Sequence, residues 1–281
     1  MILITGVNGQ LGFDIAKELK RRNVEFIGTA KNDLDVTDRE ATENYILKIN
    51  PDCVIHCAAY TDVDRAEEEK DMCYKVNCIG TENIARACKK AGAKMIYIST
   101  DYIFDGKGKI PFEVNDAANP LNVYGRSKYE GEKKVSGLLE KYFIVRVSWI
   151  FGANGKNFVK SMLNLGTRNR NLNVVCDQVG SPTYTVDLAV ILCDMLASDQ
   201  YGVYNVTNEG FCSWAEFAEE IMKQSNLGCK INYISTKKYR TKATRPLNSR
   251  MSKLKLYRAG FKRMPLWNDA LNRYLREIGV I

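Results

Sequence analysis

A chain of 281 residues, 45% hydrophobic and 26% charged, has an ordinary globular composition that excludes disorder, a collagen-like fibre and a bare peptide module. At this length one large α/β domain or two smaller ones bury enough surface to fold without disulfide or metal staples. The 41 Lys and Arg against 33 Asp and Glu give a formal charge of +8. The stretch from Lys230 to Ile281 alone carries +12, so the first 229 residues are net acidic at −4.

The chain opens with a short apolar run, Ile2 to Thr5, followed by an amphipathic stretch from Leu11 to Arg22 and a second apolar run from Val24 to Gly28. Thr37 or Asp38 is placed to cap a helix that Asn50-Pro51 stops. Cys53 to His56 reads as a third strand, Glu68 to Lys90 as one long helix ending at Gly92, and Lys94 to Ser99 as a fourth strand. Asn122 to Tyr142 has a helical period, and Phe143 to Val147 is a fifth strand. Strands alternating with helices in this way predict a Rossmann-type doubly wound parallel sheet.

Beyond Trp149 the rhythm loosens. Asn157 to Arg168 and Thr185 to Ala197 read as helices, Leu172 to Val175 and Gly202 to Val206 as strands, and Ser213 to Ser225 as a capped helix with Trp214, Phe217, Ala218 and Ile221 on one stripe. The expected organisation is a dinucleotide-binding domain over 1–150 plus about 171–206. A smaller C-terminal substrate-binding lobe is expected over about 151–170 and 207–281, closing over the carboxyl edge of the sheet.

Nine scattered cysteines without a CxxC pair read as reduced structural residues, and the single histidine, His56, reads as a satisfied near-core imidazole. The opening Met1-Ile2-Leu3-Ile4-Thr5-Gly6 has no basic n-region or long apolar h-region. No run approaches the ~18 residues of a membrane span, so no membrane partner and a cytoplasmic address are expected. The basic C-terminus suits an anionic substrate such as a nucleotide diphosphate, and it lacks the interleaved readout motif of a nucleic-acid module. Trp214 and Trp267 read as helix-face core, and the acidic run Asp62, Asp64, Glu67, Glu68 and Glu69 as a solvated loop and first helical turn.

Chemistry concentrates in two places. Gly6-Val7-Asn8-Gly9-Gln10-Leu11-Gly12 follows the first strand and opens the first helix. There the absence of side chains lets phosphate reach the backbone, and a helix N-terminus offers unpaired N–H donors. The spacing is G-x-x-G-x-x-G, not G-x-G-x-x-G. No acid ends the second strand, where Gly28-Thr29-Ala30-Lys31 stands, so NADPH is permitted with NADH possible; Lys31 can meet a 2′-phosphate while Asp35 and Val36 border the adenine. The second place is Tyr124-Gly125-Arg126-Ser127-Lys128, a Y-x-x-x-K pair that puts a phenol and an ammonium on one helix face. The ammonium is expected to lower the phenol pKa, and Ser99-Thr100 ends the fourth strand at the same edge.

The glycine loop, Ser99 to Gly106 and Tyr124 to Lys128 together resemble the extended short-chain dehydrogenase/reductases, and within them the dTDP-4-dehydrorhamnose reductases. Ala58 to Glu67, Pro120 to Gly125, Arg146 to Trp149, Asn157-Phe158, Asp177 to Thr183 and Arg245 to Arg250 extend the likeness over nearly the whole chain. The resemblance implies NAD(P)H-dependent reduction of a dTDP-activated deoxysugar, dTDP-4-dehydro-L-rhamnose, to dTDP-L-rhamnose at C4. By the same likeness Gly6, Gly9, Gln10, Leu11, Gly12, Ala58, Ala59 and Tyr60 line the cofactor. Tyr124, Lys128 and Thr100 are the catalytic set, with Tyr124 and Lys128 also touching the cofactor. Thr100, Asp101, Tyr102, Trp149, Asn157, Gln178 and Arg245 lie on the substrate side, Arg245 at the diphosphate. Some members of the group dimerise through magnesium held by carboxylates; here Asp14 and Asp187 are the nearby acids and Val186 stands where such members are acidic, so no metal and a monomer or homodimer are expected. The alternatives are another nucleotide-sugar reductase or epimerase, or a non-catalytic dinucleotide-binding regulatory subunit.

Overall fold

A computed structural model describes residues 1–281. The chain runs β1 (Ile2–Thr5), α1 (Gln10–Arg21), β2 (Phe26–Thr29), α2 (Arg39–Ile49), β3 (Cys53–His56), α3 (Lys70–Tyr74), α4 (Thr81–Ala91), β4 (Lys94–Thr100), α5 (Val123–Leu138) and β5 (Tyr142–Val147). Then follow β6 (Ile150–Phe151), α6 (Phe158–Gly166), β7 (Asn171–Val175), β8 (Val179–Gly180), β9 (Thr183–Tyr184), α7 (Thr185–Leu196), β10 (Gly202–Asn205), β11 (Cys212–Ser213), α8 (Trp214–Gln224), β12 (Lys230–Ile234), α9 (Leu254–Arg258) and α10 (Trp267–Glu277).

Six strands form one all-parallel sheet in the order β10-β5-β4-β3-β1-β2. Strands buried on both faces must be apolar throughout, and alternation then sends neighbours to opposite cores. Ile4 packs with Ile15, Phe143, Leu188 and Leu192 on one side; Leu3 packs with Val54, Ile84, Tyr97 and Ile144 on the other. From β1 the chain goes outward to β2 and then crosses back to β3 on the other flank, so the switch point opens beyond the carboxyl ends of β1 and β3, where ligands bind in such sheets.

A separate core gathers Phe151, Val159, Phe217, Ile221, Tyr274 and Leu275 from the C-terminal elements. Ser213 caps α8 with a full capping box, accepting from Glu216 N while the Glu216 carboxylate accepts from Ser213 N. The strand at 171–175 departs from expectation. It pairs in parallel with β12 in a two-stranded sheet, away from the six-stranded one. Its partner lies some 60 residues away, beyond the reach of local sequence reading.

The long helix expected over 68–90 runs without interruption from Lys70 to Ala91 but changes its winding midway. Between α3 and α4 the residues Lys75–Gly80 form a π-helical turn that carries the buried Asn77. Asn77 Oδ1 accepts from Tyr60 N at 2.8 Å, while its Nδ2 donates to Tyr60 O at 3.0 Å and to Ser127 Oγ at 3.0 Å, tying the loop after β3 to α5. Gly131 of α5 is a close approach: a Cβ there would lie 2.4 Å from the Tyr97 hydroxyl and 2.6 Å from the Asn77 carbonyl oxygen. Gly131→Ala is therefore expected to cost about 2 kcal/mol, the usual size of an overpacked core contact. The check is a lower urea midpoint at unchanged m-value; an unchanged midpoint would mean that α5 is free to retreat.

Candidate active site

At the switch point a cleft of about 1640 Å³ opens, a volume larger than one small ligand needs. Its floor is the glycine loop. Gly6 holds φ +71, and a Cβ on it would meet Ala58 N at 2.7 Å; a Cβ on Gly12 would stand 2.3 Å from the Gly6 carbonyl oxygen. Loop and helix are packed backbone against backbone with no room for side chains. Gly9 caps α1 without a side-chain acceptor, and the first turn carries no acid. The leading N–H groups of α1 are thus left for an anion, which is the requirement of a pyrophosphate. These features fit a bound dinucleotide.

Most residues singled out from the sequence line this cleft. Gly6, Gly9, Gln10, Leu11 and Gly12 form one wall and Ala58, Ala59 and Tyr60 the next; Lys31, Asp35 and Val36 lie beyond the end of β2. The Thr37 backbone and hydroxyl both donate to Asp35 Oδ1 and hold its carboxyl below its ordinary pKa. Gln10 has a further duty: its Oε1 accepts from Gly152 N and Asn157 Nδ2, both at 3.1 Å, pinning the glycine loop to the segment after β6.

Thr100, Asp101, Tyr102, Tyr124, Lys128 and Trp149 meet on the opposite side. Thr100 ends β4, and its Oγ1 accepts from Tyr102 N and donates to Asp101 Oδ1, both at 3.1 Å. Asn122 caps α5 by accepting from Gly125 N at 2.7 Å, which fixes the turn that begins with Tyr124. Tyr102 packs edge-on against Tyr124 with ring centroids 5.8 Å apart.

The expected electrostatics are overturned. Burial raises the Tyr124 phenol above its ordinary pKa, an effect the neighbouring Thr100 hydroxyl only partly offsets. Burial likewise lowers Lys128 to about 7. Desolvation is the largest influence on both groups and disfavours each charged form. The phenol therefore stands protonated, the form an acid needs. Asp101 is buried and raised to about 6 by desolvation, and its Oδ2 has no partner.

Three expected substrate-side residues are not among those lining the cleft, although Arg245 lies against the cleft residue Tyr102. Asn157 caps α6, accepting from Lys160 N at 3.0 Å, and its Nδ2 is spent on Gln10, Gly152 and Tyr274. Gln178 is buried and donates to Thr236 Oγ1 at 3.1 Å. Arg245 is taken by Asp64 at 2.6 Å, because a guanidinium next to an unpaired carboxylate on a facing loop finds its bidentate partner there. Lys242 pairs with Glu68 in the same way, so the acidic run is a clasp for the 242–245 segment and not merely a solvated loop. His56 is buried between Thr5 (2.7 Å) and Thr81 (3.2 Å) and held neutral by desolvation, with its pKa at about 3.

Trp214 packs against the C-terminal core beside Phe158 and Phe217, as expected, and also lines the cleft, stacked on Trp149 at 3.6 Å between ring centroids and 13° between planes. Trp149 takes a left-handed backbone, φ +49, and its indole lies against Gly180, where a Cβ would come within 3.0 Å. The α8 periodicity gave Trp214 a core-facing stripe, and only the capped start of the helix, one turn from the sheet edge, hints at its second role.

A profile of the family described as RmlD substrate binding domain matches residues 1–280. The chain is similar to the Spore coat polysaccharide biosynthesis protein SpsK of Bacillus subtilis, with 39% identity over 98% of this chain and 97% of that one. Among solved structures it superposes on a dTDP-4-dehydrorhamnose reductase from Clostridium acetobutylicum with a TM-score of 0.97, 42% identity and 99% of each chain covered. The dTDP-4-dehydrorhamnose reductase of Bacillus anthracis, solved in complex with NADP, gives a TM-score of 0.96 and 42% identity over 98% of each chain.

Proposed function

The chain belongs to the dTDP-4-dehydrorhamnose reductase family, and on that premise we propose that Tyr124, Thr100 and Lys128 carry out the proton chemistry of its reaction. The protein is an NAD(P)H-dependent oxidoreductase that reduces dTDP-4-dehydro-L-rhamnose to dTDP-L-rhamnose. The observation that carries the residue assignment is the convergence of a protonated phenol, a strand-end hydroxyl and an ammonium on one wall of a cleft floored by the glycine loop.

Bound NADPH supplies the hydride. The chain's own residues deal with the oxygen and its proton. Thr100, at the end of a buried strand, orients the C4 oxygen by a hydroxyl hydrogen bond. Tyr124, kept protonated by burial, gives that oxygen a proton as negative charge grows on it. Lys128, on the same helix face, steadies the phenolate left behind. The first turn of α1 would hold the pyrophosphate, and Lys31 beyond β2 would meet the 2′-phosphate that separates NADPH from NADH.

The test is direct: addition of dTDP-4-dehydro-L-rhamnose to protein and NADPH is expected to consume the reduced nicotinamide and yield dTDP-L-rhamnose, whereas UDP-glucose yields nothing. No loss of NADPH with the keto sugar would overturn the reading. Trp149 and Trp214 form the sugar-side wall in this proposal. Trp214→Ala removes one plate of the stack, an interaction of about 1 kcal/mol, so KM for the keto sugar is expected to rise roughly five- to tenfold while NADPH affinity holds. An unchanged KM would remove the stack from the substrate side.

A further inference from the structure

We propose that Tyr97 of β4 is the seat of Lys128, gripping its ammonium with the ring face and its backbone with the hydroxyl, and so is a positioning residue for the cleft. The inference rests on the reading of Lys128 as the cleft's cation and adds what holds it there. Lys128 Nζ lies 4.2 Å from the Tyr97 ring centroid, well inside the range of a cation–π contact. The Tyr97 hydroxyl donates to the Lys128 carbonyl oxygen at 3.2 Å. One fully buried residue thus holds both ends of the lysine. Gly131, three residues on and on the same face of α5, makes the fit possible, since a Cβ there would meet that hydroxyl at 2.4 Å.

Two things compensate the buried ammonium: the ring face, and the charge of Glu132, which favours the protonated form. Glu132, one turn further along α5, is engaged by Arg146 at 2.8 Å and by Ser99 at 2.5 Å. Tyr124, on the same helix, is a neutral phenol. From the end of β3, Cys57 faces the ammonium as a neutral thiol pushed up to about 12, and from α3 Cys73 is likewise raised by burial. His56, in register with Tyr97 on the neighbouring strand, stacks on its ring at 5.9 Å between centroids and is neutral. A desolvated ammonium whose one nearby carboxylate is shared with Arg146 and Ser99 gains more from a π face than one in water does. Without that face its charged form is less favoured, so it gives up its proton at lower pH.

The experiment uses the full chain without nucleotide or sugar. Trace acetylation of Lys128 by acetic anhydride is followed against pH by peptide mass spectrometry, because only the free amine reacts. Wild type and Tyr97→Phe, which keeps the ring, are expected to share one midpoint. Tyr97→Leu is expected to fall by about one pH unit, the equivalent of a desolvated cation–π contact. Phenylalanine bearing one, two or three ring fluorines at position 97 keeps the shape while draining the ring face, and the midpoint is expected to fall stepwise along that series. The fluorine series decides if the Leu variant does not fold: a flat series, or a folded Leu variant with the wild-type midpoint, would overturn the proposal. Because no substrate is present, either result is independent of the reductase assay.

Discussion

Tyr124→Phe is expected to lower kcat for keto-sugar reduction about a thousandfold, within the range that loss of a positioned general acid produces, while NADPH binding stays within about twofold of wild type. The change deletes one oxygen and keeps the ring, so the edge-on packing against Tyr102 persists and the helix start capped by Asn122 is undisturbed. What disappears is the proton source. The phenol is raised by burial and so is protonated at neutral pH, and its O–H shares the cleft wall with the Thr100 hydroxyl. Steady-state rates with a fluorescence titration of NADPH separate the two quantities. A variant that retains most of its kcat would take Tyr124 out of the proton transfer, whereas parallel loss of NADPH binding would show that its role is to shape the cleft.

Gly12→Ala is the second large effect, and it acts on the cofactor and not on the chemistry. The added Cβ would lie 2.3 Å from the Gly6 carbonyl oxygen and 2.8 Å from Val7 Cα, both backbone atoms that no side-chain rotation can move. Relief requires the loop to lift from the helix, which disperses the N–H groups aimed at the pyrophosphate. NADPH affinity is expected to fall about a hundredfold, roughly 2.7 kcal/mol. The six-stranded sheet is expected to survive, because α1 still buries Leu11, Ile15 and Leu19 against it. Gly137→Ala is the control: a Cβ there meets nothing within 4 Å, and both stability and NADPH affinity are expected to hold. Calorimetric titration of both variants settles the point, and undiminished binding in Gly12→Ala would show that the loop accommodates a methyl group.

What the sequence disclosed follows from the range of the interactions that carry each feature. The βαβ alternation, the glycine loop and the phenol–ammonium pair are written in spacings of one to seven residues, and the parallel sheet and one cleft wall followed from them. Features that rest on distant partners stayed hidden. Nothing near Asn171–Val175 points to Lys230–Ile234, and nothing near Arg245 points to Asp64, 181 residues away. Asn157 and Gln178 match substrate-side positions by motif, and the bonds their amides make to Gln10, Gly152, Tyr274 and Thr236 are announced by no local pattern. Trp214 satisfies a core period while its ring is placed on Trp149 by the turn that precedes α8. The π turn at Lys75–Gly80 left a helical period intact and was therefore silent. The sign of the Tyr124 shift could not be read from a pair spacing, because desolvation depends on how much protein covers both groups.

The central claim is net reduction at C4, and the fate of the hydride tests it most directly. With NADPH deuterated at the transferring position of the nicotinamide, the account predicts one deuterium at C4 of dTDP-L-rhamnose for every nicotinamide oxidised. A sugar product without deuterium at C4, or turnover that leaves the nicotinamide unconsumed as in an epimerase, would contradict it.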